Sequence, residues 1–345
     1  MLTFPERKKT HPQVSFGNTL NNIIQKNNHC HLGLTLQSNG GWSHHISNIY
    51  EKACQRLNML RILKYKINRE SLIKIYFAFI RPVLEYGDVV WDNCTDEQSN
   101  LLESIQIEAA RIITGLRRNS SKQYLYQELG WETLKKRRNN HKLILLFKIL
   151  NNYTPEYLSN IVGECFPPHN TYNLRNNFIY RTPVARTTSY FNSFIPSTII
   201  LWNNLPQNTK NITTVSAFKN SLKNINSKKL YMHKLFNHGK RLENIWHCQL
   251  RNNSSNLNAD LYSHHLIASP LCQKCFLEVE DSKHYFLHCP SYASQRKSLF
   301  DYMNDNSIPI TIKNLLFGSD KLTFQNNLLL FDKIHFYIKS TNRFK

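Results

Sequence analysis

Three cysteines and a histidine near the end of the chain constrain its fold more than any other feature: Cys272, Cys275, His284 and Cys289, in the pattern Cys-x2-Cys-x8-His-x4-Cys. Two cysteines separated by two residues can turn both sulfurs toward one point across a tight knuckle. The following segment then returns an imidazole and a third thiolate, closing a tetrahedron around a borderline-soft ion such as Zn²⁺. Four protein ligands leave no open position, so the spacing predicts structural rather than catalytic zinc. Metal-linked folding energy in small modules is about 10 to 16 kcal/mol, enough for a knuckle with little core of its own. Phe276, Phe286 and Tyr292 are expected to supply that core. His288 competes as a ligand, but it adjoins Cys289 and the two would have difficulty facing one ion, which favours His284. Cys30, Cys54, Cys94, Cys165 and Cys248 are isolated and read as small core hydrophobes or idle thiols. Met1–Arg7 lacks the order of a secretory signal, so no disulfide framework is expected.

The rest of the chain reads as helical. Only 10 Gly and 12 Pro occur in 345 residues, which disfavours architectures built on many tight turns. The length suits two or three compact units. Short strands are expected within Met1–Leu36, at Gln13–Phe16 and at His31–Leu36, where three leucines would share one face. From Trp42 to Leu63 the period changes, with Ile46, Ile49, Ala53, Leu57 and Leu60 at helical spacing. Arg69–Ile80 is apolar almost all round and reads as a buried helix that Pro82 kinks or ends. Thr95 and Gln98 form a capping box opening a helix with Leu101, Leu102, Ile105, Ala109, Ile112 and Ile113 on one stripe, stopped by Gly115. Further helices are expected at Ser121–Leu129, Thr133–Leu150, Val215–Ile225 and Leu235–Leu250, and from Tyr292 to the end. Tyr153–Pro206, with six prolines, reads as mostly loop with short elements.

Charge narrows the function classes. With 44 Lys and Arg against 23 Asp and Glu the formal net charge is +21, and the cations bunch, which points toward a polyanionic partner. Anionic membrane is the weaker rival, because no helix pairs a basic face with a broad exposed apolar one and no run approaches the ~18 apolar residues of a span. The expectation is a soluble, intracellular protein, nuclear or cytoplasmic. Candidate phosphate contacts are Arg61, Lys64, Lys66 and Arg69 at a helix junction, Arg117 and Arg118 after Gly115, and Lys135, Lys136, Arg137 and Arg138 with His141 and Lys142. Lys274, Lys283, Arg296 and Lys297 would give the knuckle a basic rim, and Tyr285 could stack on an unpaired base or pack inside the knuckle.

Several segments together carry a resemblance. Phe79–Trp91 (FIRPVLEYGDVVW), Leu102–Gln106 with Ala109–Gly115, Leu129–Trp131 with Lys135–Arg138, Ser193–Pro196 with Leu201–Pro206, and Ser269–Pro290 are similar to the region after the palm in reverse transcriptases of jockey-like non-LTR retrotransposons. Cys30–Leu36 resembles the strand these polymerases use as a primer grip, with Leu32, Gly33 and Leu34 at its centre. The resemblance implies a mainly α fold: residues 1–41 as a β-rich palm remnant, 42–160 as a helical thumb-like domain, 161–234 as a loop-rich connection, 235–300 as linker helix and zinc knuckle, and 301–345 as a C-terminal helical segment. It implies RNA or DNA as partner, held by thumb and knuckle.

The family's catalytic Phe/Tyr-x-Asp-Asp motif would lie upstream of the grip, and no Asp-Asp pair occurs in the sequence. Nucleotide addition needs carboxylates that hold paired Mg²⁺, whereas Asp88, Asp92, Asp96 and Glu97 read as turn and cap residues. Mg²⁺ would therefore belong only to the missing palm. The expectation is a truncated fragment that binds nucleic acid, has no polymerase activity alone, and lacks fingers, most of the palm and the endonuclease. Two alternatives remain: a zinc-stabilised host adaptor without a nucleic-acid role, and a piece of an enzyme whose palm comes from elsewhere.

Overall fold

A computed structural model of the chain describes residues 26–165, 180, 183–223 and 234–344. The strand expected at Gln13–Phe16, the prolines at 167 and 168, the end of the helix expected to reach Ile225 and the Cys165 side chain lie outside the described residues.

The first element is an antiparallel hairpin, β1 (Asn28–His31) with β2 (Leu34–Gln37), His31 opposite Leu34. Leu32 and Gly33 both have positive φ, 47° and 78°, the backbone of a two-residue primed turn whose twist suits the flanking strands. The continuous strand expected through His31–Leu36 is thus broken by a turn. Leu32 stands at the tip, 78% exposed, away from Leu34 and Leu36. The Tyr86 hydroxyl donates to the Leu32 carbonyl at 2.8 Å, and a Cβ on Gly33 would meet the Tyr86 ring at 3.2 Å.

Helix α1 (Ser43–Leu63) buries the expected stripe of Ile46, Ile49, Ala53, Leu57 and Leu60. Helix α2 (Arg69–Ile75) widens into a π-helical turn at Tyr76–Ile80 and resumes as α3 (Arg81–Glu85). Pro82 has no N–H to continue the i→i−4 ladder, and close by the Arg56 side chain donates to the Phe79 carbonyl at 2.5 Å. This segment is one-sided rather than buried all round: Arg69, Leu72, Tyr76 and Ile80 face inward, while Phe79 is exposed. After α4 (Asp88–Trp91) the capping box forms as read, with Gln98 accepting from the Thr95 amide at 3.0 Å and Thr95 from the Gln98 amide at 3.2 Å. It opens α5 (Asp96–Thr114), whose buried stripe includes every expected residue except Leu101. Helices α6 (Lys122–Leu129) and α7 (Leu134–Leu150) start from the Ser121 and Thr133 caps, and Gly130 closes α6 in the left-handed region.

The proline-marked stretch is more helical than its composition suggests. It holds α8 (Glu156–Cys165), α9 (Thr188–Phe191) and α10 (Phe194–Asn203), followed by α11 (Gln207–Lys210) and α12 (Val215–Leu222). Pro196 sits in the first turn of α10, where a missing N–H costs nothing. Beyond it come α13 (Arg241–Arg251), α14 (Asn258–Ser263), α15 (Ala293–Asp305), α16 (Ile312–Phe317) and α17 (Phe324–Ser340). The fold is mainly helical, as read, with one small hairpin before the helices. None of the described helices is long and apolar enough to cross a membrane.

The described residues form two compact units, each assembled from three stretches of chain rather than from consecutive blocks. The first takes the described residues of Met1–Gln55, Ile80–Ile105 and Glu132–Asn224; the second takes those of Arg56–Phe79, Gln106–Trp131 and Ile225–Lys345. In the first, Leu143, Leu146 and Phe147 of α7 pack with Val162, Trp202 and Phe218, and the Phe147 and Phe218 rings stack with centroids 4.4 Å apart. A buried carboxylate, Asp92, binds the same helix: Arg138 Nε lies 2.5 Å and Lys142 Nζ 2.5 Å from its oxygens, and Lys135 Nζ 3.7 Å. Asp88 lies in the first turn of α4 and Asp92 is its C-cap, as read, and both also face α7, Asp88 lying 2.6 Å from His141 Nδ1.

The second unit has its own core, including Leu250, Tyr285, Phe286, Leu299, Phe331 and Tyr337, and its own buried carboxylate. Glu128 Oε1 accepts from Arg69 Nη1 and from Arg251 Nη2, each at 2.8 Å, and its Oε2 accepts from Asn252 at 3.2 Å. These contacts join all three stretches of the unit. Burial alone would raise the Glu128 carboxyl, but Arg251 and Arg69 outweigh it and hold it at about 2. Nearby, His335 is pushed down to about 3 by burial, with Arg251 and His238 adding repulsion, and His247, hydrogen-bonded to it at 3.1 Å, is lowered too. Both effects have one sign. The unfolded chain takes up protons on His335 below pH 6.5 and on Glu128 below pH 4.5, while the folded one does so only near pH 3 and pH 2. Thermal melting across pH should show stability falling from pH 6.5 downward and more steeply below pH 4.5. A melting temperature unchanged between pH 7 and pH 4 would contradict this.

Candidate metal centre

The knuckle is built from two short devices. In the first, Leu271 pairs with Val279 in an isolated bridge and the Cys272 amide donates to the Glu278 carbonyl at 2.9 Å, closing a loop that carries both Cys272 and Cys275. Phe276 completes that turn at φ 59°, a conformation bulky residues rarely adopt. In the second, a π-helical turn over His284–His288 is closed by the Cys289 amide donating to the His284 carbonyl at 2.8 Å. Such an i→i+5 bond adds a residue to the turn, and the donors of His284 and Cys289 face the same point.

The result is a convergent donor set. One ligand atom from each of Cys272, Cys275, His284 and Cys289 lies within 4.8 Å of all the others. Cys272 Sγ and Cys289 Sγ are 3.9 Å apart, and Cys275 Sγ is 3.3 Å from His284 Nε2. That sulfur separation is too long for a disulfide, whose bond is about 2.05 Å. It matches the edge of about 3.8 Å of a tetrahedron with metal–sulfur bonds of about 2.3 Å. The four residues can therefore hold a metal ion. His288 is exposed and outside the set, as its position beside Cys289 suggested.

Other contacts orient the donors. His284 Nδ1 faces Glu278 Oε2 at 2.9 Å, so a carboxylate holds the ring with Nε2 inward, a frequent arrangement around metal-bound histidine. Burial pushes the Cys272 thiol up to about 11, whereas for Cys275 the Leu277 amide and the neighbouring thiols overcome burial and bring it down to about 7. Buried Glu280 accepts from Arg343 Nε at 2.7 Å and Nη2 at 2.5 Å, and the Asn258 amide donates to it at 3.0 Å.

Two expectations about the knuckle, for Phe276 and Arg296, are corrected. Phe276 does not join its core: the left-handed turn throws the ring outward, 72% exposed, beside the equally exposed Leu277. Phe286 and Tyr292 are buried as expected, together with Tyr285, whose hydroxyl lies 2.8 Å from that of Thr341 and which is therefore closed to base stacking. Arg296 is no rim cation: it is buried and donates to the carbonyls of Leu287 and Cys289. Lys274, Lys283 and Lys297 remain exposed.

The basic clusters divide in the same way. Arg138 and Lys142 are buried by their bonds to Asp92, Ser99 and Ser197, and Arg69 by Glu128, so these three are withdrawn from any polyanion. Arg137 is bound to Glu85 through both Nε and Nη2, and Arg117 to Asn256. Arg118, Lys135 and Lys136 are exposed, Lys136 meeting Glu132 at 2.7 Å. Arg61 is half-exposed and 3.6 Å from Glu108, and Lys64 lies over the Tyr65 ring. Leu32, Gly33 and Leu34 form the hairpin turn and the start of β2.

No protein family, curated protein or solved structure is matched by this chain. Replacing Cys275 with Ser should lower the metal bound per chain and loosen Leu271–Tyr292, and Glu278→Ala should weaken metal affinity about 10- to 100-fold. Metal content by mass spectrometry checks both, and unchanged content in Cys275→Ser would reject this ligand set.

Proposed function

We propose that this chain is the part after the palm of a jockey-like non-LTR reverse transcriptase, a helical thumb and a zinc knuckle that bind RNA or DNA without a polymerase site of their own. One observation carries the reading. Among the described residues burial withdraws Arg69, Arg138, Lys142, Lys210, Arg241, Arg251 and Arg296, but also Asp88, Asp92, Glu103, Glu128, Asp260 and Glu280. The two signs nearly cancel, so folding does not consume the +21 excess, and Arg61, Arg118, Lys135 and Lys136 stay available to phosphates.

The segments similar to that family and the soft, closed donor set support the same reading. Zinc is the ion that an S₃N set of this size favours, and with four protein ligands its role is to fold the knuckle. Asp88 and Asp92 are engaged by His141, Arg138 and Lys142, which suits a scaffold rather than paired Mg²⁺. The exposed Phe276–Leu277 tip favours a second reading, a zinc-stabilised adaptor that docks a protein partner.

Filter binding over a salt series separates the two. Engagement of about four phosphates gives a log–log slope of about −3 on single strands and nearer −3.6 on duplex; a slope near zero selects the adaptor. The purified chain with Mg²⁺, primed template and deoxynucleotides should extend no primer, and robust synthesis would place an active site within it.

A further inference from the structure

Helix α7 forms with α12 and Val89 a cavity of about 430 Å³, at the edge of the first unit's core, that neither the knuckle nor the exposed basic clusters account for. Small-molecule sites run from about 300 to 1,000 Å³ and combine an apolar lining with a few polar groups. Val89, Ile144, Leu145 and Leu222 supply the apolar lining here.

Its charges fall into two groups. Arg137 is occupied by Glu85, His141 by Asp88 at 2.6 Å, and Glu132 by Lys136 at 2.7 Å. Lys148, Lys219 and Lys223 also line the cavity, and among the described residues no carboxylate stands within ion-pair distance of them. Three unbalanced ammonium groups beside an apolar floor call for a ligand with an anionic end and a flat apolar body. Asn140 on the wall offers two N–H donors and a carbonyl acceptor, which suits the polar edge of a heterocycle and would be left unpaired against an acyl chain.

We propose that this cavity binds a nucleoside phosphate, the phosphate held by Lys148, Lys219 and Lys223 and the base lying on Ile144, Leu145 and Leu222. The inference deepens the nucleic-acid reading by assigning one nucleotide a defined seat. The same chemistry is offered by a free nucleotide and by a unit of a single strand.

Methyl NMR on the full chain tests this with three probes: AMP, adenosine, and a 5′-phosphorylated ten-nucleotide single strand. AMP should shift the methyls of Val89, Ile144, Leu145 and Leu222, and adenosine should bind at least tenfold more weakly. Lys219→Glu with Lys223→Glu, both at exposed positions, should weaken AMP at least tenfold. Lys313→Glu with Lys321→Glu, an equal charge change at exposed positions outside the cavity, should leave AMP unaffected. A strand that shifts the same methyls identifies the strand as the source; AMP binding without strand binding identifies the free nucleotide and defeats the nucleic-acid reading while the cavity stands. A strand that binds with these methyls silent to it and to AMP, or AMP equally weakened by both double variants, overturns the cavity proposal and leaves the nucleic-acid reading intact.

Discussion

Each unit of this protein is organised around a buried carboxylate that its sequence supplies from one stretch and neutralises from others. Glu128 gathers Arg69 from before it and Arg251 and Asn252 from after it, so three separated stretches share one charge centre. Asp92 does the same for α7 through Arg138 and Lys142. Burying such groups costs desolvation that only close pairing offsets, and removing one partner leaves an uncompensated charge. The pairing is specific in a way that apolar packing is not: a slipped α7 could still bury leucines, but it would strand Asp92. Register is fixed by electrostatics where the hydrophobic pattern alone would tolerate error.

This organisation bears on how a strongly basic chain uses its charge. Clusters such as Lys135–Arg138 look uniform along the sequence, yet successive positions on a helix point in different directions. Arg138 and Lys142, four apart, turn inward together; Lys135 and Lys136 turn out. The polyanion-facing surface is therefore narrower than the run of cations implies, and the unbalanced lysines of the α7–α12 cavity stand apart from the run altogether.

What could be read from the sequence was what depends on neighbours in sequence. The Thr95–Gln98 box, the Gly115 stop and the donor spacing of Cys272, Cys275, His284 and Cys289 all act within a few residues, and each forms as read. The errors lie where the deciding partner is remote. Nothing near Arg138 announces Asp92, 46 positions away, or near Arg69 the carboxylate 59 positions on. Proline was misjudged in α10 because its effect depends on position in the helix: in the first turn Pro196 removes no bond. Phe276 was misplaced because composition cannot reveal a left-handed residue at a knuckle tip. The hairpin was missed for a related reason, since Leu32 is an unusual occupant of a primed turn.

The Arg296 clamp has a consequence for how the molecule comes apart. Its guanidinium, carried on α15, holds the carbonyls of Leu287 and of the ligand residue Cys289. The knuckle and the first turns of α15 thus share one set of bonds and open as a single cooperative segment. In hydrogen exchange the amides of that helix would lose protection together with those of the metal loop when the ion is stripped, so an apparently ordinary helix would report on metal occupancy from outside the ligand set.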